Sequence, residues 1–301
     1  MAGLTLRQLR YFEAVARHGH FGRAAETCAI SQPALSVQIK ELEEGLGTQL
    51  FERSPRQVRL TAFGEEFAGR ARDILRAVDE LGELARAAHA GLVGRLRLGV
   101  IPTIAPYLLP ALIGELTRTY PEVDVEVRET VTQRLIDELG EGQLDTAIVA
   151  LPISEPWLTE VPLFSEELVL IRPAAEADKP VPARDKLREM RLLLLEEGHC
   201  FRDQALSFCA MPSALPRKGL DGSSLSTLVQ MVGAGIGVTL IPEMAVTVET
   251  RAAPVAVGRF GRPQPKRTVG MIWRKSSPLS GRLMQLAEVV RGAATTALAK
   301  P

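Results

Sequence analysis

Cys200 and Cys209 carry the most specific chemistry in this 301-residue chain. Cys200 sits in the run Glu197-Gly198-His199-Cys200-Phe201-Arg202-Asp203, and Cys209 follows nine positions later. The reactive form of cysteine is the thiolate, and a neighbouring cation favours it. His199 and Arg202 are both candidates for that cation. The segment follows the apolar run Leu192–Leu195 and reads as the start of a helix, whose N-terminus also favours negative charge. Cys209, between Phe208 and Ala210, has the apolar setting of a protected second thiol. On one helix, nine positions correspond to about 13 Å of rise and about 180° of rotation. A disulfide needs Cα atoms within roughly 7 Å, so joining these thiols requires the helix to be remodelled. A pair held apart when reduced and joined when oxidised is a switch with two packings. Two inert core cysteines are the alternative, since cysteine is often buried. A metal site fits less well, because only His199 offers a nearby third ligand. The sequence calls for no metal and no cofactor.

The chain is long enough for about two domains. An apolar content of 46% is ordinary for a globular protein. No apolar run approaches the roughly 20 residues of a membrane span, and the N-terminus has no apolar signal-peptide core. The expectation is a cytoplasmic protein without a membrane partner. Three cysteines, the third being Cys28, are too few for a disulfide-stapled secreted fold. Cys28 reads as core packing. Net charge is zero, so any case for nucleic acid must come from local pattern.

That pattern lies in the first 60 residues. Thr5 can cap a helix on which Leu6, Leu9, Phe12 and Val15 share a face. Phe21 to Cys28 reads as a second, short helix. Ser31 can cap a third, with Pro33 tolerated in its first turn and Gly45 and Gly47 marking its end. Leu35, Ile39, Leu42 and Leu46 line its inner face, while Gln32, Ser36, Gln38 and Lys40 face outward. Two helices joined by a tight turn, the second with a polar N-terminal end, follow helix-turn-helix logic. Those outward residue types suit base edges and phosphates. Arg53, Arg56 and Arg59 around Ser54-Pro55 suit a β-wing along the phosphate backbone. From Thr61 to about Ala90 a helix is expected, with a stripe of Leu75, Val78, Leu81 and Ala85 that needs a partner. A small helical bundle with solvated charges is the alternative to DNA binding.

Residues 4–65 resemble the N-terminal domain of LysR-type transcriptional regulators through LRQLRYFEAVARHGHFGRAAE, ISQPALSVQIKELEEGLGTQLFER and VRLTAFGEE. The resemblance implies a winged helix-turn-helix over 1–60 and a linker and dimerisation helix over 61–90. It implies DNA contacts from Ser31, Gln32, Pro33, Ser36, Gln38, Lys40, Arg53 and Arg56.

Beyond Gly91–Gly94, strands are expected at Leu96–Ile101, Val123–Val127, Leu144–Leu151, Glu167–Ile171, Leu192–Leu195 and Val238–Ile241. Intervening helices make a mostly parallel α/β sheet the expected arrangement. Two α/β halves would leave a ligand-binding cleft between them. Pro102-Thr103, Thr132, Ser223, Ser224, Ser226 and the turn Gly233–Gly237 would face it. The whole region resembles LysR-type effector domains, which look like periplasmic binding proteins. The fold class is thus α+β followed by α/β. The regulatory domain covers 91–301, with subdomain I about 91–163 and 267–301, and subdomain II about 164–266.

Within the family, EEGHCFRDQALSFC, GVIPTIAPYLLP and GAGIGVTLIPEMAV are similar to the members that sense hydrogen peroxide. By that resemblance Cys200 is the peroxidatic cysteine and Cys209 the resolving one. Thr103, Thr132, His199, Arg202 and Asp203 would surround the peroxide and the reactive sulfur. Residues 210–222 depart from the acidic loop of those regulators, with two prolines and an Arg217-Lys218 pair. The resemblance implies a homodimer or homotetramer on double-stranded promoter DNA, with RNA polymerase as a further partner and cellular thiol reductants to reset it. Two other functions compete: a regulator of this family sensing a small organic effector, and a thiol peroxidase.

Overall fold

The computed structural model describes residues 3–53, 58–87, 93–209, 221–262 and 264–298. The chain forms two compact units, Met1–Glu83 and Leu84–Pro301.

The first unit begins with α1 (Leu6–His18), capped as expected by Thr5, whose hydroxyl accepts from the Gln8 backbone N–H. Next come α2 (Phe21–Thr27) and α3 (Gln32–Leu46). A hairpin of β1 (Phe51–Arg53) and β2 (Val58–Leu60) makes the wing. The long α4 (Ala62–Ala87) follows and continues past Glu83, where the first unit ends. Phe12 is fully buried and meets Phe51 and Phe67, so one aromatic cluster fastens α1 to the wing and to α4. Thr61 braces the start of α4: its hydroxyl donates to the Gln49 carbonyl and accepts from Gly64. A Cβ at Gly64 would lie 2.1 Å from the Leu50 carbonyl oxygen, so only glycine allows this approach. The expected stripe on α4 divides. Leu75 packs against the core of its own unit, whereas Leu81 is 65% exposed, with Ile74 and Leu84 exposed beside it. The Ala85 side chain lies outside the described residues.

The second unit is built on a seven-stranded sheet of order β10-β6-β11-β5-β3-β4, with β9 paired to β6. Its early part runs β3 (Gly94–Val100), α5 (Ala105–Thr119), β4 (Val123–Glu129), α6 (Thr132–Gly140) and β5 (Thr146–Leu151). β3 pairs parallel with both β4 and β5. The expectation of a mostly parallel sheet fails beyond these three strands. The 16-residue β6 (Leu158–Pro173) and β11 (Lys266–Arg274) are antiparallel to each other, and β11 is antiparallel to β5. β9 (Thr239–Pro242) and β10 (Val255–Gly258) are antiparallel to β6. β5 leads into β6 without a helix, and β6 and β11 are antiparallel although helices lie between them in the chain, because the chain re-enters the sheet from the end at which it left. β7 (Leu194–Leu195) and β8 (Asp221–Gly222) form a small parallel pair flanking α7 (Cys200–Phe208). α8 (Leu225–Gly233), the short α9 (Val246–Glu249) and α10 (Ser280–Leu298) complete the unit. One continuous apolar core runs through both ends of the sheet.

Candidate functional site

Gly198 turns the chain into α7 with φ +95°, a backbone conformation that favours glycine. His199 is the N-cap but supplies no capping side-chain hydrogen bond. Cys200 is the first helical residue and half-buried. It therefore stands where the backbone N–H groups and helix dipole favour an anion. Cys209 closes the other end as the C-cap and is fully buried. Neither cysteine is in a disulfide, and one helix runs from Cys200 to its C-cap at Cys209. Nine residues of rise, about 13 Å, separate their backbones. The Cys209 end is held by a Phe208–Phe260 ring pair with centroids 5.1 Å apart and by Arg188, whose Nε donates to the Cys209 carbonyl at 3.1 Å.

The two cations read from the sequence are placed differently from that reading. Burial pushes the His199 imidazole below its ordinary pKa, against a smaller opposing effect of Glu196, so it is neutral at neutral pH. Arg202 is buried and donates through Nη1 to the Leu195 carbonyl at 2.7 Å and to the Asp221 carboxylate at 3.0 Å. Its charge is already balanced within the β7–β8 pair. Helix geometry points residues two apart to different faces, which is why Arg202 turns away from its neighbour. Asp203 is exposed in the first turn of α7.

A further cation at the redox helix is one that sequence reasoning missed. The Arg267 guanidinium lies 5.5 Å from the centroid of the ring of Phe201, the residue that follows Cys200 in the chain. It donates to the Thr103 hydroxyl at 2.8 Å and to the Thr103 carbonyl at 2.9 Å. Glu166 balances its charge: its Oε1 accepts from Arg267 Nε at 2.8 Å and Nη2 at 2.7 Å, and its Oε2 accepts from the Met244 backbone at 3.1 Å. The side chains of both ions are completely buried. A signal was present, because Arg267 shares the period-2 face of Val269, Met271 and Trp273, the inward face of β11. Thr132 opens α6, and its hydroxyl oxygen is buried without a partner among the described residues. The structure thus joins Thr103 to the Phe201 edge of the redox helix through Arg267. It leaves a hydroxyl of unspent capacity on Thr132.

In the first unit, α3 presents Ser31, Gln32, Pro33 and Lys40 exposed and Ser36 and Gln38 half-exposed, with Leu35, Ile39 and Leu42 buried behind them. The Ser31 hydroxyl accepts from Ala34 N–H, so it caps the helix. Gln38 donates to Glu41 at 2.7 Å and Lys40 lies 3.5 Å from Glu44. Arg53 has its backbone in β1. Its side chain and the whole of Arg56 lie outside the described residues. Cys28 is half-buried, and burial together with Glu13 pushes its thiol pKa up. Among the described residues no cluster of His, Cys, Asp and Glu could hold a metal, and no helix is long and apolar enough to cross a membrane.

Two family models match the chain. Residues 6–65 match the bacterial regulatory helix-turn-helix protein, lysR family, and residues 89–295 match the LysR substrate binding domain. A probable hydrogen peroxide-inducible genes activator of Streptomyces viridosporus is 44% identical, covering 96% of this chain and 94% of its own. The DNA-binding transcriptional dual regulator OxyR of Escherichia coli K12 is 42% identical, covering 96% and 95%. Among solved structures, a full-length single-site variant of OxyR from Pseudomonas aeruginosa superposes with a TM-score of 0.75 at 39% identity, covering 97% and 96%. A hydrogen peroxide-bound variant of OxyR from Corynebacterium glutamicum gives 0.66 at 35% identity, covering 98% and 94%. The chain belongs to the LysR family of bacterial helix-turn-helix regulators, and its relatives there are the hydrogen peroxide-inducible genes activators.

Proposed function

We propose that this regulator senses hydrogen peroxide through Cys200 and Cys209 and converts their oxidation into altered binding of promoter DNA. The observation that carries the reading is one helix with a thiol at each end. Cys200 is half-buried at an uncapped N-terminus, its neighbour in the chain Phe201 lies under the Arg267 guanidinium that holds Thr103, and Cys209 is sealed at the C-terminus.

The Cys200 thiolate attacks one peroxide oxygen. An S–O bond forms as the O–O bond breaks, sulfur is oxidised by two electrons to a sulfenic acid, and the distal oxygen leaves as hydroxide and takes up a proton to become water. In this reading the donors that meet the leaving oxygen are the Arg267 guanidinium, the Thr103 and Thr132 hydroxyls and the His199 ring. Cys209, as thiolate, then attacks the Cys200 sulfur, the S–O bond breaks, and hydroxide leaves again. This second step needs α7 opened, because the helix holds the two sulfurs at opposite ends. A disulfide therefore cannot coexist with the packing of Phe208 and the Arg202–Asp221 pair as described. Cellular thiols return two electrons to reset the pair.

On the DNA side, Ser31, Gln32, Pro33, Ser36, Gln38 and Lys40 of α3 enter the major groove, while Arg53 and Arg56 of the wing follow the phosphates. The exposed Ile74, Leu81 and Leu84 of α4 serve the linker and dimerisation role over 61–90, in a homodimer or homotetramer that contacts RNA polymerase in the cytoplasm. Subdomains of about 91–163 with 267–301, and about 164–266, move relative to each other in this reading. The test is a count of free thiols with peptide masses after stoichiometric hydrogen peroxide, beside Cys200→Ser and Cys209→Ser. Fast loss of two thiols, with a Cys200–Cys209 peptide absent from both variants, is expected. Slow oxidation unaffected by either change overturns the reading and turns attention to an organic effector.

A further inference from the structure

We propose that Glu166 is a positioning residue for the oxidation of Cys200, acting through Arg267 and Thr103; the inference rests on the peroxide-sensing reading above. A guanidinium has five N–H donors and no acceptor. Arg267 gives Nε–H and one Nη2–H to Glu166, the other Nη2–H to the Thr103 carbonyl, and one Nη1–H to the Thr103 hydroxyl. One Nη1–H is left without a partner among the described residues. Because the Thr103 oxygen accepts from Arg267, its own hydrogen must be donated elsewhere, and no described residue receives it. Two donors therefore remain unspent on the group that covers Phe201, the residue after Cys200 in the chain.

What fixes their direction is Glu166. It stands directly opposite Arg267 in the β6–β11 register, and both its carboxylate oxygens are committed, one to Arg267 and one to the Met244 backbone. With no freedom in the carboxylate, the guanidinium plane is fixed, and with it the polarity of the Thr103 hydroxyl. The unspent donors are aimed in advance at the oxygen that leaves as the O–O bond breaks. Donors held ready where charge develops lower the barrier without reorganisation.

This role is separable from thiolate formation. Peroxide oxidation of Cys200 needs both the thiolate and the donors, whereas alkylation by iodoacetamide needs only the thiolate. In reduced full-length Glu166→Gln, the isosteric amide replaces one acceptor oxygen by a donor and frees the guanidinium plane. The rate of Cys200 oxidation by hydrogen peroxide is expected to fall about tenfold or more. The rate of Cys200 alkylation by iodoacetamide, followed from pH 5 to 9, does not fall, because removing the charge that balances Arg267 can only favour the thiolate. Glu166→Asp, which retains the charge but is one methylene short, lowers the same peroxide-to-iodoacetamide ratio by less, and it serves alone if the Gln variant does not fold. Equal ratios in wild type and variants overturn the proposal. So does a parallel fall in both rates, which would place Glu166 in the thiolate's environment or in folding. Failure of the underlying reading looks different: the wild-type protein itself then oxidises no faster than free cysteine.

Discussion

Replacing Arg188 with alanine tests whether opening of α7 gates disulfide formation. In the reduced protein its Nε donates to the Cys209 carbonyl, and that bond exists only while the C-terminal turn of α7 is closed. A hydrogen bond from a charged donor contributes about 1.5–3 kcal/mol, and solvent competes with this one because Arg188 is exposed, leaving about 1 kcal/mol. With a tenfold change for each 1.36 kcal/mol, the opened form should become roughly fivefold more populated. The sulfenic-to-disulfide step should quicken by the same factor. The first oxidation, at the far end of the helix, should not change. Rapid acid quench after a peroxide pulse, with trapping of the sulfenic acid and masses of the Cys200 and Cys209 peptides, resolves the two steps. An unchanged second step refutes the gating argument, and so does acceleration of both steps together.

Three further outcomes follow from the same structure. Arg267→Met strands a fully buried carboxylate and should cost about 3–5 kcal/mol, or roughly 6–20 °C in the melting of the second unit, while Glu166→Leu with Arg267→Met recovers most of it; a single variant melting with the wild type contradicts this. Burial holds the His199 pKa down, so the unfolded chain takes up a proton near pH 6.5 that the folded chain takes up only at lower pH. Stability should then fall as pH drops below about 6.5 and be flat above it, whereas His199→Gln loses this fall; parallel denaturation midpoints between pH 7.5 and 5.5 would contradict the assignment. In α3, Gln32→Ala should cost about 1–3 kcal/mol in discrimination among operator sequences, and Lys40→Ala should weaken all sequences alike and lower the salt slope by about one; fluorescence anisotropy over a salt series separates the two, and a uniform effect of Gln32→Ala would remove it from base reading.

The features legible in the sequence were local ones. Thr5 and Ser31 cap where a hydroxyl before an amphipathic run must cap, and Cys200 and Cys209 close the two ends of α7 because nine residues without proline or glycine propagate a helix. What escaped was set by long-range pairing. Only residues 167–171 of β6 read as a strand, since Pro162 and the polar Ser165 and Glu166 interrupt its apolar pattern. Strand direction leaves no mark on side-chain periodicity, so the antiparallel β6 and β9 read as members of a parallel sheet, while β10 and β11 do not read as strands. Glu166 and Arg267 are 101 positions apart, and Arg202 and Asp221 are 19 apart. Neither pairing can be inferred from neighbours along the chain. His199 and Arg202 were adjacent to Cys200 in sequence, but burial neutralises the first and Asp221 engages the second.

The single strand β6 also limits how this chain can change in length. It pairs with β11 through Glu167, with β9 from Leu168 and with β10 from Leu170, so Glu166 sits at the changeover. Side chains alternate faces along a strand, and an insertion of one residue reverses every face beyond it. A residue added between 158 and 165 would turn Glu166 away from Arg267, and one added between 167 and 171 would break the β9 and β10 register and misplace side chains in a stretch packed on both faces, Leu168 to Ile171. The stretch 177–183, by contrast, is a surface connection tied down through its carbonyls by Arg172, where added length disturbs no pairing register. Variation in length among functional descendants of this sequence should therefore collect after residue 173 and be absent from 158–173.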